Sequence, residues 1–162
     1  MTDILVCIFL LVLLTGSIYD LKSFEIPNYV VLVATFLFFP VALSEHMSLP
    51  EIFLHILAGG VVLLVGFVLY SFNFIGAGDA KLLAASSIWF GFAGLPIFLC
   101  IVALVGGFLS LLLIIFRKVT LPAAWAQVGW IQNLHEERGV PYGVAISAGA
   151  ILSYPYLFSS QV

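Results

Sequence analysis

Six apolar runs take up most of this chain, and its few charged residues collect in the gaps between them. The runs are residues 4–19, 29–43, 52–70, 79–92, 95–116 and 140–158. Hydrophobic residues make up 64% of the sequence and charged residues 8%, where a soluble domain carries roughly 25% charged residues. That balance excludes a soluble globule and predicts an all-α integral membrane protein. A bilayer-spanning helix needs about 20 residues, within a range of about 17–25. The first, second and fourth runs are short and must recruit flanking residues. Gly91, Gly94 and Pro96 punctuate the fourth and fifth runs, which suits a hairpin of two helices. The expectation is a single domain over residues 1–162 with six transmembrane helices. Asp3 precedes the first run, no Lys or Arg does, and no small-x-small site follows it. The first run therefore reads as a retained helix, not a cleaved signal. A net charge of −3 carries no basic footprint for nucleic acid.

The basic residues fix an orientation. Lys22 lies between the first two runs, Lys81 at the start of the fourth, and Arg117, Lys118 and Arg138 between the fifth and sixth. With six alternating helices, all 5 Lys and Arg residues fall on one side, opposite Asp3, Glu45 and Glu51. Because positive charge marks the cytoplasmic side, both termini are expected outside. Counts of five or seven spans scatter these charges. Within the long loop 117–139, Leu121, Trp125, Val128, Ile131 and Leu134 recur at helical steps, and Pro122 suits a first turn. Trp125 and Trp130 favour the headgroup zone. Two readings fit: an interfacial amphipathic helix on the inner leaflet, between the fifth and sixth spans, or a cytosolic helix packed over the bundle.

Asp20 closes the first run after Tyr19, and Asp79 opens the fourth within Gly76-Ala77-Gly78-Asp79. The orientation puts both at the cytoplasmic boundary. Carboxylates at membrane depth are costly and rarely idle. A pair that shares a proton supplies a base and an acid together, which is the chemistry of an aspartic protease. The ordinary readings are a headgroup carboxylate paired with Lys22 for Asp20, and a helix cap for Asp79. Gly76 and Gly78 point further, since glycine permits unusual backbone angles and close approach of an extended peptide. Lys81 either tunes Asp79 or anchors the cytoplasmic side. Ile26-Pro27-Asn28 opens the second helix and Pro141-Tyr142-Gly143 the sixth, each with Pro suited to a first turn. Cys7 and Cys100 read as buried thiols or a disulfide, and the absence of C-x-x-C excludes a zinc site of the usual spacing. Glu51 and His55, with His46 nearby on the outer side, provide too few ligands for a metal. No nucleophile or phosphate-loop motif is present.

In order and spacing, Tyr19-Asp20, Ile26-Pro27-Asn28, Gly76-Ala77-Gly78-Asp79-Ala80-Lys81-Leu82 and Pro141-Tyr142-Gly143-Val144-Ala145-Ile146 resemble the type IV prepilin peptidase family. The resemblance runs from the first helix to the sixth. The compact length is similar to the peptidases of tight-adherence (Flp) pilus systems. The G-x-G-D core is shared with presenilin and signal peptide peptidase, which are larger and carry a different C-terminal motif. The resemblance implies that Asp20 and Asp79 are catalytic. It implies supporting or substrate-binding roles for Gly76, Gly78, Lys81, Pro27, Asn28, Pro141, Tyr142 and Gly143. The implied activity is aspartic endopeptidase cleavage of a basic leader, usually after glycine, from prepilin or pseudopilin precursors. It implies action at the cytoplasmic face of a bacterial inner membrane. A site there leaves the substrate its apolar helix. Neither a metal nor an organic cofactor is expected. Larger members also N-methylate the product and carry a cytoplasmic segment with paired cysteines. These 162 residues contain no such segment, so peptidase activity alone is expected. The rival reading is a small transporter or channel subunit with Asp20 and Asp79 in a proton or cation path. It accounts for the acids, but not for their glycine neighbours or their shared face.

Overall fold

A computed structural model describes residues 2–119, 128–136 and 139–157. Among these residues the chain is helical, with no strand. The helices are α1 (Thr2–Ser23), α2 (Asn28–Phe36), α3 (Phe38–Ser44), α4 (Leu49–Ser71), α5 (Ala77–Phe116), α6 (Gly129–Glu136) and α7 (Tyr142–Leu152), followed by a 3-10 turn at Tyr154–Tyr156.

The bundle is apolar on its outer surface as well as in its core, where Phe9, Phe38, Trp89, Phe90 and Phe98 are buried. The buried stripe of α1 is Val6, Phe9, Leu13, Gly16, Ser17 and Asp20, at helical spacing. Its outward face carries Ile4, Ile8, Leu11, Leu14 and Ile18, all exposed. Lipid accepts large apolar side chains on the outside, while small residues between helices let the backbones approach closely. Small residues set the closest approaches. A Cβ on Gly66 would lie 3.0 Å from the Ala80 Cβ, and one on Gly149 would collide with Val102. α1, α4 and α5 are each long and apolar enough to cross a membrane.

α5 spans 40 residues. A straight helix of that length would run about 60 Å, twice the hydrocarbon core. It is not straight: Gly91 adopts φ +54° and ψ −174° inside it. That φ is left-handed, where glycine carries no steric penalty. The chain reverses there, so that Asp79, from the first half, and Gly107, from the second, line one cavity. The expected hairpin is thus present, its turn at Gly91. His55 of α4 fills the turn. Its Nδ1 lies 2.7 Å from the Ile88 carbonyl oxygen, and its ring stacks on Phe38. Glu51 accepts hydrogen bonds from the Ser48 amide (2.6 Å) and hydroxyl (2.7 Å) at the start of α4. Both residues therefore serve helix ends. Among the described residues no cluster of His, Cys, Asp or Glu is placed to hold a metal.

Counting α2–α3 as one interrupted helix and α5 as two gives the expected six, alternating in direction, with α6 outside the count. The second run breaks at Leu37, a feature absent from the sequence expectation. Pro40 lacks the N–H that would bond the Phe36 carbonyl in a continuous helix. Cys7 and Cys100 are free and exposed, which corrects the expectation of burial. Each lies on an outward, apolar helix face. Thr2, Asp3, Glu45 and Leu157 share a cavity at one end of the bundle. At the other end, Lys81 Nζ donates to Asn28 Oδ1 (3.1 Å), and Asn133 donates to the Lys22 carbonyl (3.3 Å). There too, Arg117 donates to the carbonyls of Leu134 (3.0 Å) and Gly139 (2.6 Å). These bonds hold α6 across the end of the bundle, with Leu134 turned inward and Trp130 exposed. Leu121, Pro122, Trp125 and Arg138 lie outside the described residues.

Candidate active site

Three helix ends converge at the basic end of the bundle. Asp20 comes from the last turn of α1, Asp79 from the first turn of α5 and Gly143 from the first turn of α7. Asp20 is 3% exposed. A helix start leaves amides without intrahelical acceptors, and the Gly143 amide is one of these. It donates to Asp20 Oδ2 at 2.6 Å. A carboxylate of α1 therefore caps α7 from another part of the chain, a charge-assisted bond worth about 1.5–3 kcal/mol. Pro141, fully buried, is the residue before α7 and presents the amide.

Asp79 is the third residue of α5, and its carboxylate folds back over Gly76. A Cβ on Gly76 would lie 2.8 Å from Asp79 Oδ2. Asp79 Oδ1 is buried and finds no hydrogen-bond partner among the described residues. Buried carboxylate oxygens are rarely left so.

Asp20 and Asp79 line two adjoining cavities. One, of about 290 Å³, is walled by Phe24, Ile26, Gly78 and Lys81. The other, of about 560 Å³, is walled by Asn73, Phe74, Val140 and Tyr142. Both include Phe24 and Gly76. Behind Asp79 a third, largely apolar cavity reaches between the halves of α5, past Leu83, Leu99 and Ile146.

The other residues singled out in the sequence gather around this point in specific ways. Gly76 precedes α5 with ordinary extended angles (φ −71°, ψ 149°), so the expectation of unusual backbone there is corrected. Gly78 is helical, and a Cβ on it would meet the Ile26 Cβ at 3.2 Å. It allows the loop after α1 to close on α5. Pro27 precedes α2. Asn28 accepts the bond from Lys81, whose ammonium is thereby directed to α2 and not to Asp79. Tyr142 lies over Gly106, where a Cβ would come within 2.8 Å of its ring. Tyr19 packs edge-on against Tyr29.

Residues 7–111 match the type IV leader peptidase family. The chain belongs to this family. The match includes Asp20 and Asp79 and ends before Pro141, Tyr142 and Gly143. No curated protein and no solved structure matches the chain. Within the matched residues, the two carboxylates share one cavity, each at the end of a different helix.

Three neighbours escaped the sequence reading. Ser17 and Ser147 are buried one turn beneath Asp20 and Gly143, their hydroxyls 2.6 Å apart. Their spacing, three before Asp20 and four after Gly143, was the available signal. Phe24 ends α1 with φ +54°, a strained conformation for a bulky residue. Such strain tends to collect at functional sites.

Proposed function

We propose that this membrane peptidase is an aspartic endopeptidase that removes the basic leader from prepilin or pseudopilin precursors. The proposed site of action is the cytoplasmic face of a bacterial inner membrane, with both termini outside. The observation that carries this reading is the shared cavity of Asp20 and Asp79 at the bundle end where Lys22, Lys81, Arg117 and Lys118 collect. Positive charge on one side marks the cytoplasm. The two adjoining cavities meet at the carboxylates and offer an extended peptide a way past them. The apolar cavity behind Asp79 suits a side chain of the retained hydrophobic segment.

In this mechanism the two carboxylates hold one proton between them. The ionised member takes a proton from water as the oxygen attacks the scissile carbonyl carbon. The protonated member donates to the carbonyl oxygen as its charge develops. Collapse of the tetrahedral intermediate breaks the C–N bond. A proton passes to the departing amine, and the carboxylates return to their starting state. No metal or organic cofactor enters these steps.

The test is cleavage of a prepilin precursor by purified protein in proteoliposomes, with the new N-terminus mapped by mass spectrometry. Asp20→Asn and Asp79→Asn should each abolish cleavage while the protein inserts normally. Full activity in either variant would overturn the mechanism. Proton or cation flux that depends on both aspartates, with no cleavage by the wild type, would favour the transport reading.

A further inference from the structure

We infer that Ser17 and Ser147 form a buried clamp that positions the Gly143 amide on Asp20. They are thus positioning residues for the proposed peptidase reaction, and the catalytic part of this inference rests on that reading. Ser17 is 6% exposed and Ser147 1% exposed. Their hydroxyl oxygens lie 2.6 Å apart. Each also reaches the Gly143 carbonyl, Ser17 at 3.0 Å and Ser147 at 2.9 Å. Each reaches the Leu13 carbonyl of α1 as well, at 3.1 Å and 2.8 Å. A hydroxyl has a single proton to donate, so two protons are shared among two carbonyls and the partner hydroxyl. Neither helix can rotate or slide without breaking part of this set.

The clamp lies one turn from the bond it governs. Gly143 is held through its carbonyl by the serines, and its amide donates to Asp20 Oδ2 at 2.6 Å. Ser17 and Asp20 share the buried stripe of α1, and Gly143 and Ser147 share that of α7. The register of α7 against α1 therefore sets where the Asp20 carboxylate points. Two other buried serines provide a contrast. Ser86 and Ser87 donate to carbonyls of their own helix, Leu82 at 2.9 Å and Leu83 at 2.7 Å. Removing either hydroxyl should leave the site in place.

The experiment has two arms. The first needs no substrate. Tyr142-Gly143 is the sole Tyr-Gly step in the sequence. Carbonyl-labelled tyrosine combined with 15N-glycine therefore selects the Gly143 amide in an NMR spectrum of the protein in detergent. The amide proton should resonate downfield in the wild type, as befits a short bond to a carboxylate. It should move upfield in Ser17→Ala/Ser147→Ala and stay in place in Ser86→Ala. An unchanged Gly143 signal in the double variant would overturn the clamp. The second arm is cleavage per folded molecule. A displaced catalytic group costs up to about 10²-fold, so kcat should fall about 10- to 100-fold in the double variant. KM should stay within about twofold, and the pH profile of kcat should shift. Ser86→Ala should match the wild type in all three. A wild-type kcat and pH profile in the double variant would overturn the positioning role. A wild type that does not cleave would instead remove the proposed function, and the first arm would still decide the clamp.

Discussion

Gly143→Ala tests the trans cap at its narrowest point. The added Cβ would lie 2.9 Å from Asp20 Oδ2, 3.1 Å from its Cβ and 3.3 Å from its Cγ. Comfortable Cβ contacts begin near 3.4 Å, so the carboxylate oxygen must retreat by 3.4 − 2.9, about 0.5 Å. That equals the tolerance of about 0.5 Å within which a catalytic group must be held. The 2.6 Å bond from the Gly143 amide would stretch or turn with it. A hydrogen bond to a charged group contributes about 1.5–3 kcal/mol. If that contribution is lost in the transition state, turnover falls about 10- to 150-fold. The assay is prepilin cleavage in proteoliposomes, normalised to correctly inserted protein. Gly60→Ala is the control, because a Cβ there meets nothing within 4 Å. Turnover of Gly143→Ala within about twofold of the control would falsify the argument that Asp20 is held through this amide.

Gly78→Val should lower cleavage at least about tenfold without blocking insertion. Its side chain would push on Ile26 and on the loop that walls the site; wild-type turnover would reduce Gly78 to a neutral position. A cysteine at Gln132 should label from the cytoplasm and one at Glu45 from outside, after Cys7 and Cys100 are replaced. Labelling of both from one side would refute the orientation. The mature substrate incubated with S-adenosylmethionine and this enzyme should keep an unmodified amine. A methyl mass that depends on the protein would refute that.

The helices were legible because lipid imposes a simple rule: a spanning segment must be long and apolar. The α5 hairpin was legible for a different reason. Gly91, Gly94 and Pro96 weaken a helix wherever they occur, and one of them, Gly91, takes the left-handed turn. The break at Leu37 was available from Pro40 by the same logic but sits inside a run of uniform hydropathy. The outward placement of Cys7 and Cys100 was not legible. When both faces of a helix are apolar, hydropathy alone cannot say which one packs.

The site divides along the same line. Asp20 and Asp79 stood out because a carboxylate beside an apolar run is chemically conspicuous. Serine is not, since it occurs in membrane helices for many ordinary reasons, as Ser86 does here by bonding to Leu82. What separates Ser17 and Ser147 from Ser86 is a partner on another helix, and that depends on rotation and register. Lys81 illustrates the point from the other side. Its place beside Asp79 in sequence suggests an ion pair, yet its ammonium is bonded to Asn28. Sequence neighbours on a helix need not face one another, while residues three or four apart do.

The convergence also gives a physical reason for glycine at two places outside the G-x-G-D string. A helix amide can reach a carboxylate on another helix at 2.6 Å only if no side chain stands between the two backbones. At Gly143 a Cβ would strike Asp20, and at Gly106 it would strike Tyr142, the residue that precedes that amide. Gly106 lets the Tyr142 ring come close to the second half of α5, which places the start of α7; Gly143 then lets the start of α7 meet α1. Asp20, Gly143, Tyr142 and Gly106 thus form a line of contacts from the first helix to the fifth. Loss of either glycine should disturb the same carboxylate, although the two lie 37 positions apart in the chain (143 − 106). The proposed catalytic pair is held by the closeness of three helices, and that closeness depends on residues with almost no side chain.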